Sequence, residues 1–270
     1  MPQFGWADAP PHIRHHLMAC VDTLQHILHD DLTGIYLHGS LAMGCFHPER
    51  SDVNLLVVVR QNLEASQLWA IIRLMIQQSG SPQDYTLAVT REGHLFPWRY
   101  PVPLLLYYSE AVRPLYEQML DASTLTLNPN DAYHDAALTL GETRARGVTL
   151  AGRAIEYTLP TIPRPDYVDA LMRATKVAHD GLMFDPVAAI LTLCRAYRYL
   201  YDGALCSKDE AGQWALAWIK PGLKPIVAGM LAYYRGETHA IPFDPVDVSR
   251  CAAYLEARVS DCYHQQRWRS

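Results

Sequence analysis

The chain has 270 residues, long for a single core, so two domains are expected. Hydrophobic residues make up 50% and charged residues 19%, an ordinary globular composition. The net charge of −5 argues against broad nucleic-acid binding, which needs a basic face, and no apolar run reaches the ~18–20 residues of a membrane span.

Cys20, Cys45, Cys194, Cys206, Cys251 and Cys262 are widely scattered, with no CxxC pair and no His at zinc-ligand spacing. They read as buried thiols of a reducing compartment, with no structural metal. The opening "MPQFGWADAPPHIRHH" lacks the basic start and apolar stretch of a secretory signal. A cytoplasmic monomer, bound to neither nucleic acid nor membrane, is expected.

Taken in chain order, residues 11–30 place Ile13, Leu17, Val21, Leu24 and Leu28 on one helix face. "LTGIYLHGS" reads as a short strand ending in a turn. "NLLVVV" is a continuous apolar run, as in a strand covered on both faces. Residues 64–78 form a second amphipathic helix, and "YTLAVT" a third strand. "SEAVRPLYEQ" reads as an exposed charged helix or turn. Strand, turn, strand, helix, strand indicates an α/β unit with a small mixed sheet.

Pro160, Pro163 and Pro165 mark a linker over 159–166, since proline is excluded from helix interiors and central strands. Beyond it the pattern is helical throughout. Gly203 and Gly236 read as helix stops, and Pro186 and Pro221 as first-turn prolines. The expected layout is an α/β domain over 1–158, the proline-bearing linker, and a helical bundle over 167–270.

The chemistry concentrates in "GIYLHGSLAMGCFHPERSDVNLLVVVR", residues 34–60. Nucleotidyl transfer needs backbone N–H groups to hold phosphate oxygens and carboxylates to fix Mg2+. Gly39 allows close backbone approach, and Ser40 is suited to cap a short helix while contacting phosphate. By itself a Gly-Ser pair is more often an ordinary strand-to-helix turn. A dozen residues later comes Ser51-Asp52-Val53-Asn54, and side chains two apart on a strand share a face, so Asp52 and Asn54 project together.

A Gly-Ser turn followed at this distance by Ser-Asp-x-(Asp)-apolar resembles the signature of the DNA-polymerase-β-like nucleotidyltransferases. It is still more similar to the aminoglycoside (3'')(9) adenylyltransferases. "FPWRYP" at 96–101, "RGVTLAGRAIEYTLP" at 146–160, "LTLCR" at 191–195, "KDEAGQWAL" at 208–216 and "AYYRG" at 232–236 resemble that family in the same order. The resemblance implies the nucleotidyltransferase fold with an all-helical C-terminal domain, ATP as nucleotide and Mg2+ as metal. It puts Gly39, Ser40, Ser51 and Asp52 at phosphate and metal positions, and Arg195, Lys208 and Tyr234 at helical-domain positions that close over the triphosphate and nucleotide. An Arg and a Lys there would neutralise a polyphosphate, although such residues are more often solvated surface charges.

Three departures bear on activity. Asn54 stands where the family has its second metal-binding aspartate, and a neutral amide removes a charge from a site for an ion that favours anionic oxygens. Thr86 stands where the family has its general-base glutamate, and threonine is no base near neutral pH. Asp84, two residues earlier, is the nearby substitute. On the acceptor side an aromatic platform becomes Ala111, flanked by Glu110 and Arg113, and the second platform lacks its tryptophan, leaving Asp185 as a partner for an amine.

These changes imply ATP binding between the two domains, weak or absent Mg2+, and little or no adenylyl transfer. Two alternatives stand beside that reading: an active adenylyltransferase acting on an aminoglycoside or other hydroxylated small molecule, and a structural or regulatory protein that binds no nucleotide.

Overall fold

The structure, a computed structural model, describes residues 3–122, 124, 136–241 and 243–267. It divides into two compact units, Phe4–Asp166 and Tyr167–Ser270 with Met1–Gln3.

In the first unit, helix α1 (Pro11–Leu28) precedes strand β1 (Leu32–His38), the short helix α2 (Gly39–Met43) and strand β2 (Val53–Val59). Helix α3 (Ala65–Gln78), strand β3 (Tyr85–Arg91), helix α4 (Glu92–Leu95), strand β4 (Leu106–Tyr108) and helix α5 (Arg113–Asp121) follow. Helix α6 (Ala136–Arg146), strand β5 (Val148–Gly152) and helix α7 (Ile155–Thr158) complete it. The sheet runs β4-β3-β2-β1-β5, with β2 and β3 parallel and the other pairs antiparallel.

Alternation on β2 divides the unit into two cores. Val53, Leu55, Val57 and Val59 face α1 and α3, joining Ile13, Leu17, Val21, Leu24, Ile71, Ile72 and Met75. Leu56 and Val58 face the other way, toward Tyr36, Ala88, Leu104, Ala136, Leu140 and Ile155. A strand buried on both faces needs no polar alternation, which explains the unbroken apolar run. The five apolar residues expected to form one face of α1 are all buried.

β4, β5 and α6 were not expected. β4 is three residues long, and β5 alternates only weakly in burial at the sheet's edge, so neither carries a strong period-two pattern. Pro165, assigned to the linker, lies instead in the first turn of helix α8 (Arg164–Asp180), where a missing N–H leaves no intrahelical bond unmade.

The second unit contains most of α8, then α9 (Pro186–Asp202), α10 (Lys208–Trp218), α11 (Lys224–Tyr234) and α12 (Pro245–Arg267). α9 is the central helix, burying Ile190, Leu191, Leu193, Cys194, Tyr197 and Leu200 while packing on α10, α11 and α12. A methyl at Gly212 of α10 would come within 2.7 Å of Leu231 and 2.8 Å of Leu191, so a larger residue there requires those leucines to shift. Asp185 and Pro186 start α9, and Gly203 ends it in the left-handed conformation. All six cysteines are buried. No helix among the described residues is long and apolar enough to cross a membrane.

Candidate functional site

Antiparallel β1–β2 pairing brings the end of β1 beside the start of β2, and parallel β2–β3 pairing sets the start of β3 next to both. His38 therefore pairs with Asn54, and Asn54 with Thr86. The backbone N–H of Val53 donates to the Asp84 carbonyl at 2.8 Å, fixing residues 52 and 84 at the same end of the sheet. Gly39, Ser40, Ser51, Asp52, Asn54, Asp84 and Thr86 thus gather around one sheet end.

Gly39 has φ +70°, and a Cβ there would meet Asn54 Nδ2 at 2.9 Å. That is a conformation and an approach suited to glycine alone. Ser40 does not cap α2 as expected. It lies inside the helix, His38 holds the cap position without a side-chain bond, and the Ser40 carbonyl accepts from Gly44 and Cys45. Ser51 closes the return loop: its N–H donates to the His47 carbonyl and its hydroxyl accepts from the His47 N–H, both at 2.9 Å.

Asp52 is exposed and Asn54 partly buried. The Asn54 amide nitrogen donates to the Asp52 carbonyl oxygen at 3.0 Å, which directs Oδ1 as the side chain's remaining acceptor. The pair offers a metal one carboxylate and one neutral oxygen. Among the described residues no group of three or more His, Cys, Asp or Glu side chains is placed to hold an ion. A Mg2+ site of two carboxylates does not fit these residues.

Between the sheet and α6 lies a cavity of about 200 Å³, lined by His38, Asn54, Thr86 and Thr90 on its polar side. Leu56, Ala88, Leu104 and Leu140 form the apolar wall, with Tyr107, Ala136 and Thr139 completing it. Burial pushes the His38 imidazole down to about 4, because desolvation disfavours the charged form. His38 is therefore neutral near pH 7.

Other expected site residues have local surroundings of their own. Glu110 is on the opposite sheet face, where its carboxylate accepts from Ser79, from Tyr108 at 3.0 Å and from Arg113 at 3.2 Å. Burial pushes this carboxyl up, but the hydrogen bonds from Ser79, Tyr108 and Arg113 outweigh it and hold the group below its ordinary value. Glu110 serves the packing of α3 against β4 and is not brought to the cavity. In the helical unit, Asp185 caps α9 by accepting from Ala188 N–H at 2.8 Å. Arg195 and Tyr234 are partly buried, on α9 and at the end of α11. Lys208 opens α10, an electrostatically unfavourable place for a cation.

Sequence reasoning missed His38, Thr90, Thr139 and Tyr107. Only strand register sets His38 beside Asn54, and only β4 brings Tyr107 to the cavity.

Comparison with known proteins agrees with this architecture. The family model for the aminoglycoside adenylyltransferase C-terminal domain matches residues 158–258. The aminoglycoside (3'') (9) adenylyltransferase of Klebsiella pneumoniae is 25% identical, over 90% of this chain and 94% of that protein. Over most of its length the chain is similar to aminoglycoside adenylyltransferases, and its C-terminal part matches their C-terminal-domain model. The spectinomycin 9-adenylyltransferase of Staphylococcus aureus is 28% identical, over 76% of this chain and 79% of its own length. A crystal structure of spectinomycin adenyltransferase AAD(9) from Enterococcus faecialis, with ATP and spectinomycin, superposes with a TM-score of 0.81. That match spans 92% of this chain and 99% of the other at 22% identity, which establishes the shared fold of the two chains.

Proposed function

We propose that the protein is a nucleotidyltransferase-like member of the aminoglycoside adenylyltransferase family that binds ATP and has little or no adenylyl-transfer activity. The observation that carries the reading is the neutral pair Asn54–Thr86, adjacent in register across β2 and β3. The resemblance calls for a metal carboxylate at the first position and a general base at the second. Without them, charge stabilisation at the phosphorus and proton removal from an acceptor hydroxyl both weaken. The support for retained nucleotide binding is Gly39, whose conformation brings the backbone close to Asn54, with the cations Arg195 and Lys208 at family nucleotide positions.

A ligand that binds only the folded state stabilises it by mass action, about 2.7 kcal/mol at a hundredfold excess over Kd. Loss of one charge-assisted contact removes roughly 1.5–3 kcal/mol of binding. ATP is expected to raise the melting temperature of the natural protein, and Arg195→Ala and Lys208→Ala to blunt that rise. Pyrophosphate release in the presence of streptomycin or spectinomycin should stay near background. An absent ATP-induced shift, or one unchanged in both variants, overturns nucleotide binding. Release at ordinary enzyme rates overturns the inactive reading.

One observation favours a second reading, an active adenylyltransferase. Asp84 is exposed and fixed beside the start of β2 through the Val53 hydrogen bond, a location from which a displaced base could act. Asp84→Asn would then abolish pyrophosphate release.

A further inference from the structure

We propose that the cavity between the sheet and α6 binds a small uncharged hydroxylated ring of monosaccharide size, with His38 as its buried polar anchor. His38 is 8% exposed, it lines the cavity, and its Nε2 is buried with no hydrogen-bond partner among the described residues. Buried side-chain nitrogens are almost always paired, so an unpaired one on a residue that lines a cavity is suited to bond a group that enters it.

The chemistry of the lining selects the ligand. Among the described residues every polar side chain that lines it is neutral: threonine hydroxyls, the Asn54 amide, the Tyr107 phenol and the imidazole. Hydroxyls and amides offer donors and acceptors together, which matches ligand hydroxyls rather than an ion of fixed sign. Thr90 is engaged by the protein itself, its hydroxyl donating to the Pro103 carbonyl at 3.0 Å and lying 3.4 Å from His94 Nδ1. The Asn54 amide nitrogen is likewise engaged, leaving its oxygen to accept. Leu56, Ala88, Leu104 and Leu140 form a strip suited to the C–H faces of a ring.

Size points the same way. The cavity of about 200 Å³ exceeds the roughly 150 Å³ of a cavity that admits benzene. Among the described residues no carboxylate lines the wall, which disfavours a polycation; Asp52 precedes Asn54 in solvent.

The inference deepens the reading of the Asn54–Thr86 site and rests on it for any transfer, but binding itself requires no nucleotide. Its test therefore uses ATP-free protein, which separates its failure from failure of nucleotide binding. D-glucose, myo-inositol and 2-amino-2-deoxy-D-glucose are titrated separately and followed by ligand-observed NMR and calorimetry. A neutral ring is expected to bind saturably in the millimolar range or tighter, with the amino sugar at least several-fold weaker. His38→Phe removes the anchor and Ala88→Val narrows the cavity without touching a polar group; each should weaken binding about tenfold or more. His38→Gln, which keeps an acceptor, should recover part of it. The proposal is overturned if neither neutral ring saturates, if the amino sugar binds as well as glucose, or if binding survives in both His38→Phe and Ala88→Val with the variants folded by circular dichroism. A failure of one variant to fold leaves the other, together with the glucose and amino-sugar comparison, to decide.

Discussion

Asn54 on β2 and Thr86 on β3 are direct neighbours in parallel register, on the sheet face that carries the cavity. Neighbouring strands lie about 4.8 Å apart, so side chains at these two positions can act on one reacting centre. The pair that occupies them carries no charge at neutral pH.

Restoring Asn54→Asp together with Thr86→Glu should therefore raise adenylyl transfer by more than the product of the single changes, because groups acting on one transition state are not additive. The gain expected for the double variant is on the order of 10²-fold. Pyrophosphate release with ATP and spectinomycin measures it. Equal rates in the double variant and the natural protein would show that these positions do not limit transfer.

Metal dependence follows from the same pair. On the proposed reading Asp52 would supply the one carboxylate, and Mg2+ held through a single anionic protein oxygen binds weakly. ATP affinity measured by calorimetry should change by no more than a few-fold when Mg2+ is replaced by a chelator, whereas Asn54→Asp should make it steeply Mg2+-dependent. A steep dependence already present in the natural protein contradicts this.

Gly39 tests the turn. Its φ of +70° and the 2.9 Å approach of a built Cβ to Asn54 Nδ2 make any side chain strained. Gly39→Ala should cost about 1–2 kcal/mol, read as a lower urea midpoint at unchanged slope. Gly44→Ala, also at positive φ but with nothing within 4 Å, should cost only the backbone part. Equal losses at both glycines would remove the steric argument.

His38 sets an acid-side instability. Its folded-state value falls from 6.5 to about 4 through burial, so the unfolded chain binds the proton more readily. The associated stability is complete above about pH 6.5 and is lost progressively as pH falls to about 4, amounting to roughly 3 kcal/mol for a shift of that size. Chemical denaturation between pH 7 and 4 should show a shallower loss for His38→Phe than for the natural protein. Parallel curves would mean that His38 is not the group responsible.

Much of this fold is legible in the sequence. Apolar spacing located α1 and α3, the unbroken run located β2, and Gly203 and Pro186 marked the ends of α9, because each signal is local: a helix period, a two-sided burial, a capping conformation. That the Gly-Ser turn lies beside Asn54 follows from β1–β2 pairing. Tertiary structure decided what depends on partners distant in sequence. β4 and β5 owe their existence to pairing with β3 and β1 rather than to their own pattern. Glu110, in the turn after β4, takes Ser79, Tyr108 and Arg113 as partners, which its sequence neighbours alone do not show. His38 looked like an unremarkable strand end until register set it opposite Asn54 and burial stripped it of water. Period and propensity act over a few residues, whereas strand register, face and desolvation are properties of the assembled sheet.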